Sequence, residues 1–152
     1  MSNISPIDGR YKKNVSELET FFSEQALMRH RVMVEVEYLL ALVEHKSFQK
    51  TRSLSKKTLN SLKDLYVEFS ATHFKQIKKI EKKTNHDVNA VVVFVSEKLK
   101  KIGRDDLVPF VHFGLTSEDI NNISYSLMTK SAVDSVMTVS YTHLTLPTMI
   151  GV

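Results

Sequence analysis

Apolar residues recur every three or four positions along most of this chain, and residues that could interrupt the pattern are scarce. Leu18, Phe21, Phe22, Met28, Val32, Val36, Leu39, Leu40 and Val43 make one stripe, and Leu59, Leu62, Tyr66, Phe69, His73, Ile77 and Ile80 a second. Val88, Val91, Val92, Val95 and Leu99 make a third, and Ile120, Ile123, Leu127 and Val133 a fourth. A period near 3.6 puts each set on one face of a helix. Four glycines and three prolines in 152 residues are too few for the turns of a many-stranded β fold. The pattern predicts an all-α chain.

Four helices are expected. The first runs from about Ser16 to His45, opened by the capping-box spacing Ser16-Glu17-Leu18-Glu19. The second runs from about Lys56 to Lys82 behind Ser53 and Ser55. The third, Val88 to about Lys101, ends at Gly103, although its β-branched run also fits a strand. Ser117 is the expected N-cap of the fourth, with Glu118 and Asp119 suiting the positive helix end.

Composition removes several function classes. Cysteine is absent, so there is no disulfide framework, thiolate metal site or cysteine nucleophile. Met1-Ser2-Asn3-Ile4 lacks the charged and apolar regions of a secretory signal, and no uncharged apolar run approaches the ~20 residues of a membrane span. A cytoplasmic protein is the expectation. The net charge of +4 is small beside 21 basic and 17 acidic residues. Lys75, Lys78, Lys79, Lys82 and Lys83 could track a nucleic-acid backbone or an acidic partner. They are better explained by the C-terminal end of a helix, where lysines offset the macrodipole, and no aromatic residues interleave as stacking platforms.

Three polar segments lie between the helices: Gly9-Arg10-Tyr11, Thr84-Asn85-His86-Asp87 and Thr116-Ser117-Glu118-Asp119. Each has a purely structural explanation, with Tyr11 as a staple, Asp87 and Ser117 as caps, and Asn85 closing a turn. Together they suit a small polyanion. Arg10 is a forked cationic donor, and Thr116 and Ser117 bring hydroxyls to a helix N-terminus. His86 exchanges protons near neutrality beside Asp87.

Ser5-Pro6-Ile7-Asp8-Gly9-Arg10-Tyr11, Thr84 to Ala90, and His112 to Asn122 resemble, in order, the N-terminal motifs of the bacterial adenylosuccinate lyase family. That family lies within the fumarase/aspartase superfamily, and the resemblance covers about Ile4 to Val136. It implies purine nucleotide biosynthesis, with β-elimination of fumarate from adenylosuccinate and from the succinylated aminoimidazole carboxamide ribotide. It implies neither cofactor nor metal, and a homotetramer built on a shared bundle of long helices. By that resemblance Arg10 and Tyr11 hold the nucleotide phosphate, and Asn85, His86 and Asp87 line the pocket. His86 supports proton transfer to the leaving nitrogen, and Thr116 and Ser117 grip a succinyl carboxylate. In such a reaction a base removes the proton beside a carboxylate while an acid protonates the departing nitrogen. The family's base is a serine in a Gly-Ser-Ser loop, which this chain does not contain. Its acid is a histidine followed by glycine, whereas Leu144 follows His143 here, so His143 receives no catalytic role.

The expected organisation is residues 1–115 as an N-terminal helical domain, 116–136 as the start of the central bundle, and 137–152 as a non-native tail. No charged residue occurs from Ser135 to Val152. Residues 139–148 favour strand or coil, and Ser140 to Thr148 resemble a translated sequencing adapter. The chain is therefore expected to be a fragment that is inactive alone.

Overall fold

Serines decide where the helices begin. The computed structural model describes residues 5–45 and 54–145. Ser23 has an extended backbone, and its Oγ accepts the Ala26 N–H at 3.1 Å. The expected single first helix is therefore divided. A 3-10 turn, Ser16–Leu18, and the short α1, Glu19–Phe22, precede α2, Glu24–Glu44. The capping box expected at Ser16 does not open the helix: Val15 stands at the cap of the 3-10 turn with no side-chain hydrogen bond.

The second expected helix divides for the same reason. Ser55 caps α3, Lys56–Val67, by accepting the Thr58 N–H at 3.1 Å. Ser70, again extended, caps α4, Ala71–Thr84, through the His73 N–H at 3.4 Å. A serine oxygen that satisfies an orphan N–H competes with continuation of the preceding helix. Ser53 lies outside the described residues.

The third stripe is helical along α5, Asp87–Lys101, which decides against a strand. Its end is a Schellman arrangement: Arg104 N–H reaches Leu99 C=O at 2.9 Å, and Gly103 N–H reaches Lys100 C=O at 3.0 Å. Gly103 has φ +71°, and an added Cβ would meet nothing within 4 Å. Gly103→Ala should therefore cost about 1 kcal/mol from left-handed backbone alone. Urea denaturation checks this; no measurable loss would refute it.

A 3-10 turn, Asp105–Phe110, leads to α6, Ser117–Thr145. Strand or coil was expected over 139–148, yet α6 continues through Thr145 and crosses 136 and 137 without a break. Extending a nucleated helix adds a hydrogen bond per residue, which overrides weak β preferences. Residues 146–152, including Pro147, lie outside the described residues.

The core forms around α2. Val32, Val36, Leu39 and Leu40 meet Leu62 of α3, Ile77 of α4, and Val91, Phe94 and Leu99 of α5. Helix α6 packs along α2. Its buried row is Ile120, Ser124, Met128 and Ala132, spaced by four, whereas Ile123 and Val133 of the expected stripe are 49% and 52% exposed. All regular structure among the described residues is helical, so the class is all-α. No helix among them is long and apolar enough to cross a membrane.

Candidate functional site

Two helix N-termini converge over α2. Val88 at the start of α5 and Ile120 at the start of α6 bury themselves against Val34, with Leu115 and Leu127 beside them. This apolar floor brings the segments 84–87 and 116–119 together, each carrying the partial positive charge of a helix start.

Asn85 ends α4 in the left-handed region at φ 52°, its N–H reaching Glu81 C=O at 2.8 Å. The chain can then enter α5 at once. The cap of α5 is His86, whose Nδ1 accepts the Asn89 N–H at 3.2 Å. An accepting Nδ1 puts the ring proton on Nε2, making the half-exposed outer edge of His86 a donor. Asp87 uses Oδ1 for the Val88 N–H at 2.8 Å and Oδ2 for Arg31 Nη2 at 2.7 Å. Burial alone would raise its carboxyl, but the Val88 N–H and the Arg31 guanidinium hold it below the ordinary 3.8. Lys78, Glu81, Lys82, Asn85, His86 and Asp87 line an open cleft beside this cap.

The start of α6 is capped by Thr116 rather than by the expected Ser117. Thr116 N–H and Oγ1 both donate to Asp119 Oδ2, at 2.7 and 2.8 Å, and Asp119 N–H returns to Thr116 Oγ1 at 3.4 Å. These bonds hold the Asp119 carboxyl below the ordinary 3.8. Ser117 is thereby the first residue of the helix, half-buried, with its hydroxyl not needed as the cap.

Sequence reasoning missed the residues of α2 that hold these loops. Arg31 is 3% exposed and donates from Nε to Asn121 Oδ1 at 3.0 Å, as well as to Asp87. Glu35, one turn on and fully buried, accepts from His112 Nδ1 at 2.6 Å. Burial raises the Glu35 carboxyl above 4.5, and the His112 hydrogen bond opposes that without cancelling it. His112 is left-handed at φ 61°, and Tyr38 OH donates to Phe113 C=O at 2.9 Å. The available signal was Arg31 and Glu35, spaced by four and lying on the helix that carries the stripe residues Met28, Val32 and Val36.

Arg10 and Tyr11 lie against each other in the opening turn. Both are exposed, with the Arg10 Cζ 5.7 Å from the Tyr11 ring centroid. The Tyr11 N–H closes a turn onto Pro6 C=O at 3.0 Å. No described hydrogen bond, ion pair or ring contact links them to 84–87 or 116–119. In the lysine cluster, Lys78 is engaged by Glu24 at 2.6 Å and Glu81 at 2.8 Å, while Lys75, Lys79, Lys82 and Lys83 are exposed.

Comparison with known proteins follows the same segments. A family profile described as lyase matches residues 9–146. An adenylosuccinate lyase of Dictyostelium discoideum is 40% identical over 140 residues, which is 90% of this chain and 30% of that protein. One of Escherichia coli (strain K12) is 41% identical over 138 residues, again 90% and 30%. One of Buchnera aphidicola subsp. Baizongia pistaciae is 43% identical over 128 residues, covering 84% of this chain and 27% of its own. The chain thus spans about 30% of the length of the curated relatives it matches.

Proposed function

The chain belongs to the lyase family, and we propose that it supplies the N-terminal binding loops of an adenylosuccinate lyase acting in the cytoplasm. The observation that carries this reading is the convergence of His86-Asp87 and Thr116-Ser117 over one apolar floor. The identity to adenylosuccinate lyases spans both segments.

The substrates of such an enzyme carry a phosphate and two carboxylates. Ser117 and the start of α6 suit a succinyl carboxylate, since a helix N-terminus favours an anion. His86 presents its Nε2–H outward, which suits a hydrogen bond to the nucleotide and support of proton transfer to the leaving nitrogen. Asn85 and Asp87 complete the pocket wall. Arg10 and Tyr11 complete the phosphate end of a site formed from more than one copy. A homotetramer fits the half-exposed Ile123, Tyr125, Val133, Val136 and Met137 on α6, which a shared helical bundle would cover.

Neither the Gly-Ser-Ser base nor the histidine acid of the family is present, so the chain by itself should bind without turning over. The purified chain should release no fumarate from adenylosuccinate above a blank. Adenylosuccinate at a hundredfold excess over its dissociation constant should stabilise it by about 2.7 kcal/mol, an effect weakened in Ser117→Ala. Fumarate release would refute the inactivity, and a melting temperature indifferent to adenylosuccinate would refute the substrate site.

A further inference from the structure

We propose that Arg31 is the positioning residue of this site: it aims the Asp87 carboxylate, cancels its charge, and ties the His86 cap to the start of α6. The proposal rests on the nucleotide reading for what the site binds, but not for what Arg31 does.

A guanidinium that is 3% exposed must find acceptors, because a buried cation without them is expelled or disrupts its surroundings. Arg31 has two on different segments. Nη2 meets Asp87 Oδ2 at 2.7 Å, and Nε meets Asn121 Oδ1 at 3.0 Å across 90 residues of sequence. Nη1 lies 3.9 Å from Met28 Sδ on the same helix. The two strong contacts leave the planar fork one orientation, which a lysine ammonium cannot reproduce.

The acceptors differ in charge, and that difference has a purpose here. Asn121 fixes the fork without consuming its charge, so the whole positive charge is set against Asp87. Asp87 is 45% exposed and shares the cleft with His86, Lys78, Glu81 and Lys82. Unpaired, its carboxylate would repel a ligand bearing phosphate and carboxylates. Paired, it keeps its place beside His86 while presenting little net charge. The same guanidinium connects the starts of α5 and α6, so the two loops hold one spacing.

The test uses NMR on the whole 152-residue chain with AMP as the probe. In the wild type, the Asp87 carboxyl carbon should titrate below an ordinary aspartate, and the Arg31 Nε–H resonance should move with it. Arg31→Met should raise the Asp87 midpoint and weaken AMP at least tenfold. Arg31→Lys should restore much of the midpoint but not the affinity, since it returns charge without the fork. An unmoved midpoint with unchanged AMP affinity in folded Arg31→Met overturns the proposal. If that variant does not fold, an Arg31 Nε–H indifferent to the Asp87 titration in the wild type overturns it equally. A wild type that ignores AMP, while the Asp87 midpoint still rises in Arg31→Met, upholds the positioning role and removes the nucleotide reading.

Discussion

Phe94→Ala should lower the unfolding free energy by about 3–5 kcal/mol, a large part of the 5–15 kcal/mol that holds a domain together. Phe94 is 1% exposed on α5 and belongs to the main apolar cluster with residues of α2, α3 and α4. Its ring meets His73 edge-on at 5.6 Å between centroids, and Lys98 Nζ lies 4.9 Å from its centroid. Truncation removes all of these contacts and leaves a cavity that three helices cannot close without losing others. His73 would gain the vacated space; its pKa is already lowered, by burial first and by Lys98 second. Urea denaturation followed by circular dichroism measures the loss. Phe22→Ala is the control, since Phe22 is 53% exposed and a surface change stays within about 0.5 kcal/mol. Similar losses in the two variants would show that Phe94 is not where the stability resides.

His112→Ala should be the most pH-dependent change. Glu35 is fully buried, Oε1 has His112 as its partner, and Oε2 has no hydrogen bond. Removing the ring leaves an ionised carboxylate with nothing to answer it, at a cost of about 3–5 kcal/mol. The sign of the pH effect follows from burial, which raises Glu35 above its unfolded value of 4.5. The folded chain then binds the proton more tightly than the unfolded one, so this group's stability contribution falls as pH rises from 4.5 through the folded value. Without His112 that folded value climbs further, and the penalty grows by up to ~1.4 kcal/mol per pH unit across the window. Asp87 and Asp119 act in the opposite sense, since both are held below 3.8 and lose their contribution only at lower pH. His112→Gly separates charge from strain: it loses the same partner but relieves the left-handed backbone, and should be about 1 kcal/mol more stable than His112→Ala. Denaturation of both variants between about pH 5 and pH 7 checks the slope. A profile parallel to the wild type would remove the Glu35–His112 pair from the account.

The helical class was legible because period and scarcity of breakers agree, and α5 with its Gly103 stop was placed almost to the residue. The divisions at Ser23 and Ser70 were not legible. Both serines sit inside unbroken apolar stripes, and a serine in mid-helix looks the same in sequence whether it caps or merely faces solvent. The caps at His86 and Thr116 were each displaced by one residue from an equally competent neighbour, Asp87 or Ser117, a choice made by tertiary packing of Val88 and Ile120. The two loops were legible as candidates, but their meeting was not. It depends on Arg31, Glu35 and Tyr38 of α2, whose partners lie far along the chain, Asn121 of Arg31 by 90 residues, His112 of Glu35 by 77 and Phe113 of Tyr38 by 75. A stripe read locally contains no information at that range. The helical continuation from 139 to 145 was lost for a related reason, since residue preferences were weighed without the helix already running into them.

Those long separations also rank the events of folding. Helices α4 and α5 are joined by only two residues and pack closely, so they meet at almost no cost in loop entropy. Docking α6 on α2 must close a loop through most of the chain before Arg31 can find Asn121 or Glu35 can find His112. The cheapest route assembles α4 and α5 early and seats α6 last. The convergence of the two N-termini therefore forms after the α4–α5 pair and should open before it, so amide protons in the loops over α2 should exchange faster than those of the α4–α5 pair.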